Sequence, residues 1–197
     1  KVTVTFKIFC ILSLGSFSVY AAQNTASENV LHEYLERGPA TQLNINAHGR
    51  SAADIDEILL QLYRNNELQP FWIKNGKLSQ PGGDIHAVLQ DAGSHGLNPV
   101  DYLVNNINQF WNSTDISDQA QLDILLTLGM MLYVADQREG RIQPRQLDPK
   151  LFATASDVEV DWQALFATAF KTTDMKSFLA KQAPPSLQYR QLKKTLA

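Results

Sequence analysis

Thiols, imidazoles and neighbouring carboxylates are the groups through which this chain could do chemistry, and the setting of each decides what it can do. The single cysteine of the 197 residues is Cys10. A thiolate is a strong nucleophile and a soft ligand, but Cys10 lies inside a segment that reads as a removable leader. The four histidines, His32, His48, His86 and His95, have no metal-ligand spacing, so no metal site is expected. His95 has the chemistry of a general base, yet between Gly93 and Gly96 at a helix end its expected role is to satisfy terminal carbonyls. Asp157, Glu159 and Asp161 alternate, as three carboxylates on one side of an extended segment would. A calcium loop needs more oxygen ligands and a turn glycine, so a solvated acidic loop with Asp161 as a helix cap is expected instead. Asp54, Asp56 and Glu57 have the residue types of a glycosidase acid pair. At a helix start the positive end of the dipole explains them more simply.

Other motifs fall short. Ser94 has Ala92 two positions before it, so no Gly-x-Ser-x-Gly nucleophile elbow forms. Gly82-Gly83 is followed by Asp84 rather than Lys-Ser or Lys-Thr, which excludes a phosphate-cradling loop. Phe71-Trp72 and Phe110-Trp111 could stack on sugar rings, but aromatics beside a turn are expected in the core. Met130-Met131 reads as core filling, and Lys193-Lys194 as a solvated pair near a helix C-terminus. No catalytic, cofactor-binding or metal residue is assigned, and no cofactor is expected.

These residues must be positioned by helices. Ser51 to Asp54 forms a start signal, and Ile55, Ile58, Leu59 and Leu62 recur at helical spacing up to about Asn65-Asn66. Pro70 to Ile73 is an apolar knot, and Asn75-Gly76 a tight turn. Ser79-Gln80-Pro81 opens a helix with Ile85, Val88, Leu89 and Ala92 on one side. Asn98-Pro99 starts a short one whose apolar face is Val100, Leu103, Val104 and Ile107. Residues 117–139 carry the strongest pattern, apolar on more than one side and stopped by Gly140, which predicts the central buried helix. Arg141 to Pro149 reads as a loop. Further helices are expected from Asp161 through Phe170, from Asp174 to Gln182, and from Pro184-Pro185-Ser186 onward. The fold class is all-α: an irregular multi-helix scaffold with one long central helix and little room for a sheet.

The ends of the chain read differently. Lys1 and Lys7, the apolar run Ile8 to Leu14 and the small residues up to Ala21-Ala22 have the order of a secretory signal. Cleavage is expected after Ala21, with an uncleaved anchor as the alternative. The run is shorter than the about 20 apolar residues a membrane span needs, so no span is expected in the mature chain. Removing two lysines and no acid takes the formal net charge from −3 to about −5. An acidic chain without basic runs argues against nucleic-acid binding, which needs Lys and Arg on phosphates. Residues 22–50 are polar and small, with a short helix over Glu28 to Arg37, and read as a loosely ordered N-terminal arm. Residues 51–197 form the helical domain. The last helix reaches Ala197 without a cap, which reads as a C-terminal truncation.

Several local strings occur in a telling order. Leu62-Tyr63-Arg64-Asn65-Asn66 is followed by Pro70-Phe71-Trp72, Asn75-Gly76-Lys77-Leu78 and His95-Gly96-Leu97-Asn98-Pro99-Val100-Asp101-Tyr102. Asp123 to Asp136 then leads into Gly140-Arg141-Ile142-Gln143-Pro144, and Pro184-Pro185 into Tyr189-Arg190-Gln191-Leu192. Together, over residues 52–197, they resemble the scaffold region of large periplasmic L,D-transpeptidases. The resemblance implies an exported, periplasmic cell-wall protein of several parts. In it a helical scaffold is joined to downstream peptidoglycan-binding and catalytic domains of the same chain. Peptidoglycan itself is a possible partner. The family's catalytic cysteine, assisted by histidine, sits in Ser-His-Gly-Cys; here Ser94-His95-Gly96 is followed by Leu97. No catalytic residue is therefore carried over, and this stretch is expected to be non-catalytic by itself. A stand-alone periplasmic adaptor on the same fold is the alternative, and a hydrolase using Asp54 and Glu57 the remote third.

Overall fold

The computed structural model describes residues 27–45, 47, 50–141 and 160–196. Residues 27–36 are helical (α1), followed by Pro39–Gln42 (α2), Ala52–Asn65 (α3), Gln80–Gln90 (α4) and Val104–Phe110 (α5). Ile116–Glu139 (α6), Trp162–Ala169 (α7), Met175–Ala180 (α8) and Leu187–Leu196 (α9) complete the helical array. Two 3₁₀ turns, Asp91–His95 and Pro99–Tyr102, link α4 to α5. The fold is all-α apart from a small hairpin, Ile73–Lys74 (β1) against Lys77–Leu78 (β2). Asn75 and Gly76 have φ of 53° and 68°, both left-handed, as a two-residue type I′ turn requires. The leader with Cys10, the loop from Ile142 to Pro149, His48, Asp157 and Glu159 lie outside the described residues.

The predicted start signals at Ser51–Asp54 and Asp161 act as caps, and the structure adds two more at Asp115 and Asp174. Ser51 and Asp54 form a reciprocal capping box on α3. Asp115, Asp161 and Asp174 accept from backbone N–H groups of α6, α7 and α8 at 2.8–3.2 Å. Each satisfies donors that a helix start leaves unpaired.

Helix α6 is the axis of the molecule. Its residues from Leu122 to Ala135 are all buried, so apolar side chains around its circumference meet several neighbours at once. Helix α4, α5 and the Pro99–Tyr102 turn pack on it. Gly129 makes the closest approach possible: a Cβ there would lie 2.7 Å from the Tyr102 carbonyl oxygen and 2.8 Å from Leu89 Cδ1. No helix among the described residues is long and apolar enough to cross a membrane.

One carboxylate sits inside this apolar axis. Asp123 is 0% exposed. Its Oδ1 accepts from Phe71 N at 2.9 Å and Tyr63 O–H at 2.7 Å. Its Oδ2 accepts from Trp72 N at 2.7 Å and Ile73 N at 2.9 Å. One turn along, the Thr127 hydroxyl accepts from Trp72 Nε1 at 2.9 Å and lies 2.8 Å from the Tyr63 oxygen. Burial pushes the Asp123 carboxyl up from the usual range, while the Tyr63 and backbone hydrogen bonds act the other way. Burial, then the Asp123 charge, pushes the Tyr63 phenol well up. The Pro70–Ile73 knot is thus core, as its apolar character predicts, and it is held there by backbone donors.

Two expectations are corrected. The loosely ordered arm of residues 22–50 is, over its described part, docked: Leu31, Leu35 and Ala40 are 0–3% exposed and join the main core. Asp56 of α3 fixes it by accepting from Ala40 N at 2.7 Å and Thr41 N at 2.9 Å. The helix from Pro99 to Ile107 is interrupted at Leu103, whose φ is 63°. The break changes the helical phase, so Leu103, Val104 and Ile107 are buried but Val100 is 54% exposed.

Replacing Asp123 with Ala strands three N–H groups and a hydroxyl in the core, and is expected to cost about 3–5 kcal/mol in urea unfolding. Tyr63→Phe, which removes one donor, should cost about 1–2 kcal/mol. A loss below 1 kcal/mol for Asp123→Ala would contradict the anchor. Gly129→Ala should lower the melting temperature, although alanine is favoured over glycine in a helix by about 1 kcal/mol. An unchanged or raised melting temperature would show that Tyr102 and Leu89 yield freely.

Candidate functional site

Among the described residues, helix α9 stands out in how it is seated. Its side chains from Leu187 to Thr195 are exposed or half-buried, and Leu187 and Leu192 are 60% and 65% exposed. Apolar burial therefore contributes little to its attachment. What holds it is a chain of polar atoms. Tyr189 and Lys193 stand four residues apart, on one side of the helix, and both reach the imidazole of His95.

The directions of these hydrogen bonds follow from donor capacity. An ammonium can only donate, so Lys193 Nζ gives a proton to His95 Nε2. The ring must then carry its own proton on Nδ1, which donates to the Tyr189 oxygen. Tyr189 O–H in turn donates to Gln137 Oε1 of α6 at 3.0 Å. Gln137 is only 5% exposed, so the chain ends in the core. Gly96, with φ of 72°, closes the turn behind His95. Tyr133 of α6 meets the imidazole edge-on, with ring centroids 6.1 Å apart.

This geometry keeps His95 neutral. Burial pushes the imidazole down from its usual value, the Lys193 charge pushes it further, and Asp91 opposes them. Burial also raises the Tyr133 and Tyr189 phenols. Beside the seat lies a cleft of about 340 Å³, bordered by Asp91, His95, Tyr133, Lys176 and Lys193, with Val88 and Ala180 as apolar contacts.

The remaining sequence candidates separate. His95 does not cap terminal carbonyls as expected; its two ring nitrogens are spent on Tyr189 and Lys193. Lys193 is half-buried in this seat rather than solvated, while Lys194 is exposed. Asp54 is occupied by its capping box and held below the usual carboxylate range by the Ser51 hydrogen bonds. Asp56 is occupied by the α2 start, and Glu57 is exposed. Asp54 and Asp56 thus do separate structural work. Asp161 caps α7 through Ala164 N at 3.0 Å. His32 lies 3.4 Å from Glu36. His86 is buried against Trp111 and bonded to Asn108 at 2.9 Å. Phe71 and Trp72 are core, whereas Phe110 and Trp111 are half-buried beside it. Among the described residues no three His, Cys, Asp or Glu side chains gather as a metal-binding group.

Sequence reasoning missed Tyr189, Gln137 and Lys176. The four-residue spacing of Tyr189 and Lys193 is a faint signal of a shared face. Nothing local links them to His95, more than ninety residues earlier.

The seat predicts a pH response. The groups facing His95 are Asp91 on its own turn, Tyr133 and Gln137 from α6, Lys176 from α8, and Tyr189 and Lys193 from α9. A docked imidazole with a lowered pKa favours the neutral form. Docking is then complete above the ordinary histidine value of 6.5 and weakens as pH falls from there through the lower docked value. Backbone ¹⁵N relaxation over residues 187–196 should report growing mobility on acidification. His95→Gln, which cannot become a cation, should flatten that response; a pH-independent wild-type helix would contradict it.

Neither the curated proteins nor the solved structures contain a match to the chain. Residues 57–196 match the family described as Scaffold domain. That span starts within α3 and takes in the Asp123 anchor, the His95 turn and α9. The chain belongs to the Scaffold domain family.

Proposed function

We propose that this chain is the non-catalytic scaffold portion of an exported L,D-transpeptidase-like protein. Its work is to orient downstream peptidoglycan-binding and catalytic domains during peptidoglycan crosslinking or remodelling. The observation that carries this reading is a coincidence of spans. The strings that resemble the transpeptidase scaffold run over residues 52–197, and the Scaffold domain match covers residues 57–196.

The physical setting supports the same division of labour. Where the family's cysteine would follow Ser-His-Gly, the chain has Leu97, and Ser94 Oγ is bonded to Asp91 at 2.9 Å. His95 is engaged at both nitrogens. This turn supports a helix instead of activating a nucleophile. Domain orientation asks for a stiff body, which the buried α6 and its Asp123 anchor supply, and for a defined exit, which the α9 seat supplies.

Two measurements test the reading. Translation of the coding sequence beyond the Ala197 codon should give a segment bearing Ser-His-Gly-Cys, and a frame without it overturns the transpeptidase assignment. Expression in a Gram-negative host should release a periplasmic protein whose N-terminal sequence begins at Ala22. Retention of the full leader in the cytoplasm would overturn the export assignment.

A further inference from the structure

We propose that the cleft between α4, α8 and α9 binds a small zwitterion: an α-amino acid, or a ligand with a carboxylate and an ammonium equally close together. The inference rests on the charges and shape of this cleft, and it stands whether or not the downstream domains act on the cell wall.

The walls carry both signs. Lys176 of α8, Lys193 of α9 and Asp91, just after α4, all line the cleft, with the Lys193 ammonium on His95 and the Asp91 carboxylate accepting from Ser94 Oγ at 2.9 Å. Asp84 lies 3.7 Å from Lys176 behind the wall. His95 adds no charge, because Lys193 occupies its Nε2 as donor. A simple anion entering here would meet Asp91, and a simple cation would meet two ammoniums. A zwitterion answers both, with its carboxylate toward the lysines and its ammonium toward Asp91.

Donor capacity fits the same ligand. Lys193 spends one of its three N–H groups on His95, which leaves others for a carboxylate. Lys176 is 60% exposed in its side chain and only loosely paired, so it can turn toward a ligand at little cost. Tyr133 is 1% exposed overall and forms part of the cleft wall. Val88 and Ala180 give a short apolar contact suited to a small side chain. At about 340 Å³ the space is large enough for a small amino acid.

Position gives the ligand a consequence. A carboxylate shared by Lys176 and Lys193 ties α8 to α9, so the bound state favours the seated helix. By linkage, whatever unseats α9 weakens the ligand by the same factor.

The test is an NMR titration of the full chain at pH 7.5 with L-alanine, D-alanine, acetate, methylammonium and inorganic phosphate as separate probes. At least one alanine enantiomer should shift the amides near residues 88–95, 176 and 189–193 saturably in the millimolar range. Acetate and methylammonium should bind about tenfold more weakly. Lys176→Met, outside the hydrogen-bonded seat, should weaken alanine binding about five- to tenfold and leave the remaining spectrum unchanged. Asp91→Asn should reduce alanine to the level of acetate. Absence of a saturable alanine shift overturns the proposal. So does alanine binding that both variants leave intact, or phosphate binding tighter than alanine, which would make the cleft an anion site.

Discussion

The buried carboxylate of Asp123 is the constraint on which the rest of the structure depends. A charge in an apolar interior is tolerated only when paired or fully hydrogen-bonded. Here the donors are three consecutive backbone N–H groups, Phe71 to Ile73, and the Tyr63 hydroxyl. Those donors lie in different elements, so satisfying one residue of α6 fixes the end of α3, the apolar knot and the start of the hairpin together. With the knot in place, Phe71 stacks on Phe170 with ring centroids 4.4 Å apart and meets Tyr63 at the same distance. The aromatic cluster beneath α7 therefore follows from a polar choice. An apolar residue at 123 would leave those donors unpaired and would not tell the knot which way to face.

The two ends of the domain are attached by different physics. Residues 27–45 enter through apolar burial of Leu31, Leu35 and Ala40, and Asp56 then caps the short α2. Helix α9 reverses the proportions. Leu187 and Leu192 stay exposed, and the helix is held by Lys193, His95, Tyr189 and Gln137 in sequence. Hydrogen bonds of this kind contribute about 1 kcal/mol each net of what water offers. An assembly of them near the surface opens at a fraction of the cost of global unfolding.

What the sequence made legible was the part governed by periodicity and caps. Helices α3, α4, α6, α7 and α8 lie close to where apolar spacing puts them, and Ser51 and Asp161 cap as residue type suggests. The arm was misread because its composition is polar and small. Leu31 and Leu35, four apart, were enough to bury one side, but two residues do not make a visible pattern. The break at Leu103 was out of reach because a leucine rarely takes positive φ, and only tertiary packing explains it. Asp123 and Thr127 stand one turn apart in an apolar run, which is a detectable sign of a buried polar site. Their partners, however, lie some fifty to sixty residues earlier. The α9 seat had still less to show, since its histidine, tyrosine and lysine are each ordinary at their own positions.

Rigidity in the middle and a polar seat at one end are consequences of the same economy of side chains. Helix α6 spends its whole circumference on the core, including Gly129, where even a methyl group has no room. Such a helix cannot also offer an apolar surface for α9. Gln137, near its C-terminal end, is where Tyr189 connects. A seat built on Gln137 must use hydrogen bonds, and hydrogen bonds fix direction more sharply than apolar contact does. The geometry of α9 is thus defined narrowly while its strength stays modest. An apolar seat would invert that balance and hold the helix firmly at a less certain angle. The neutral imidazole is central because, in its Nδ1–H form, it accepts on one side and donates on the other, as a link between an ammonium and a phenol must.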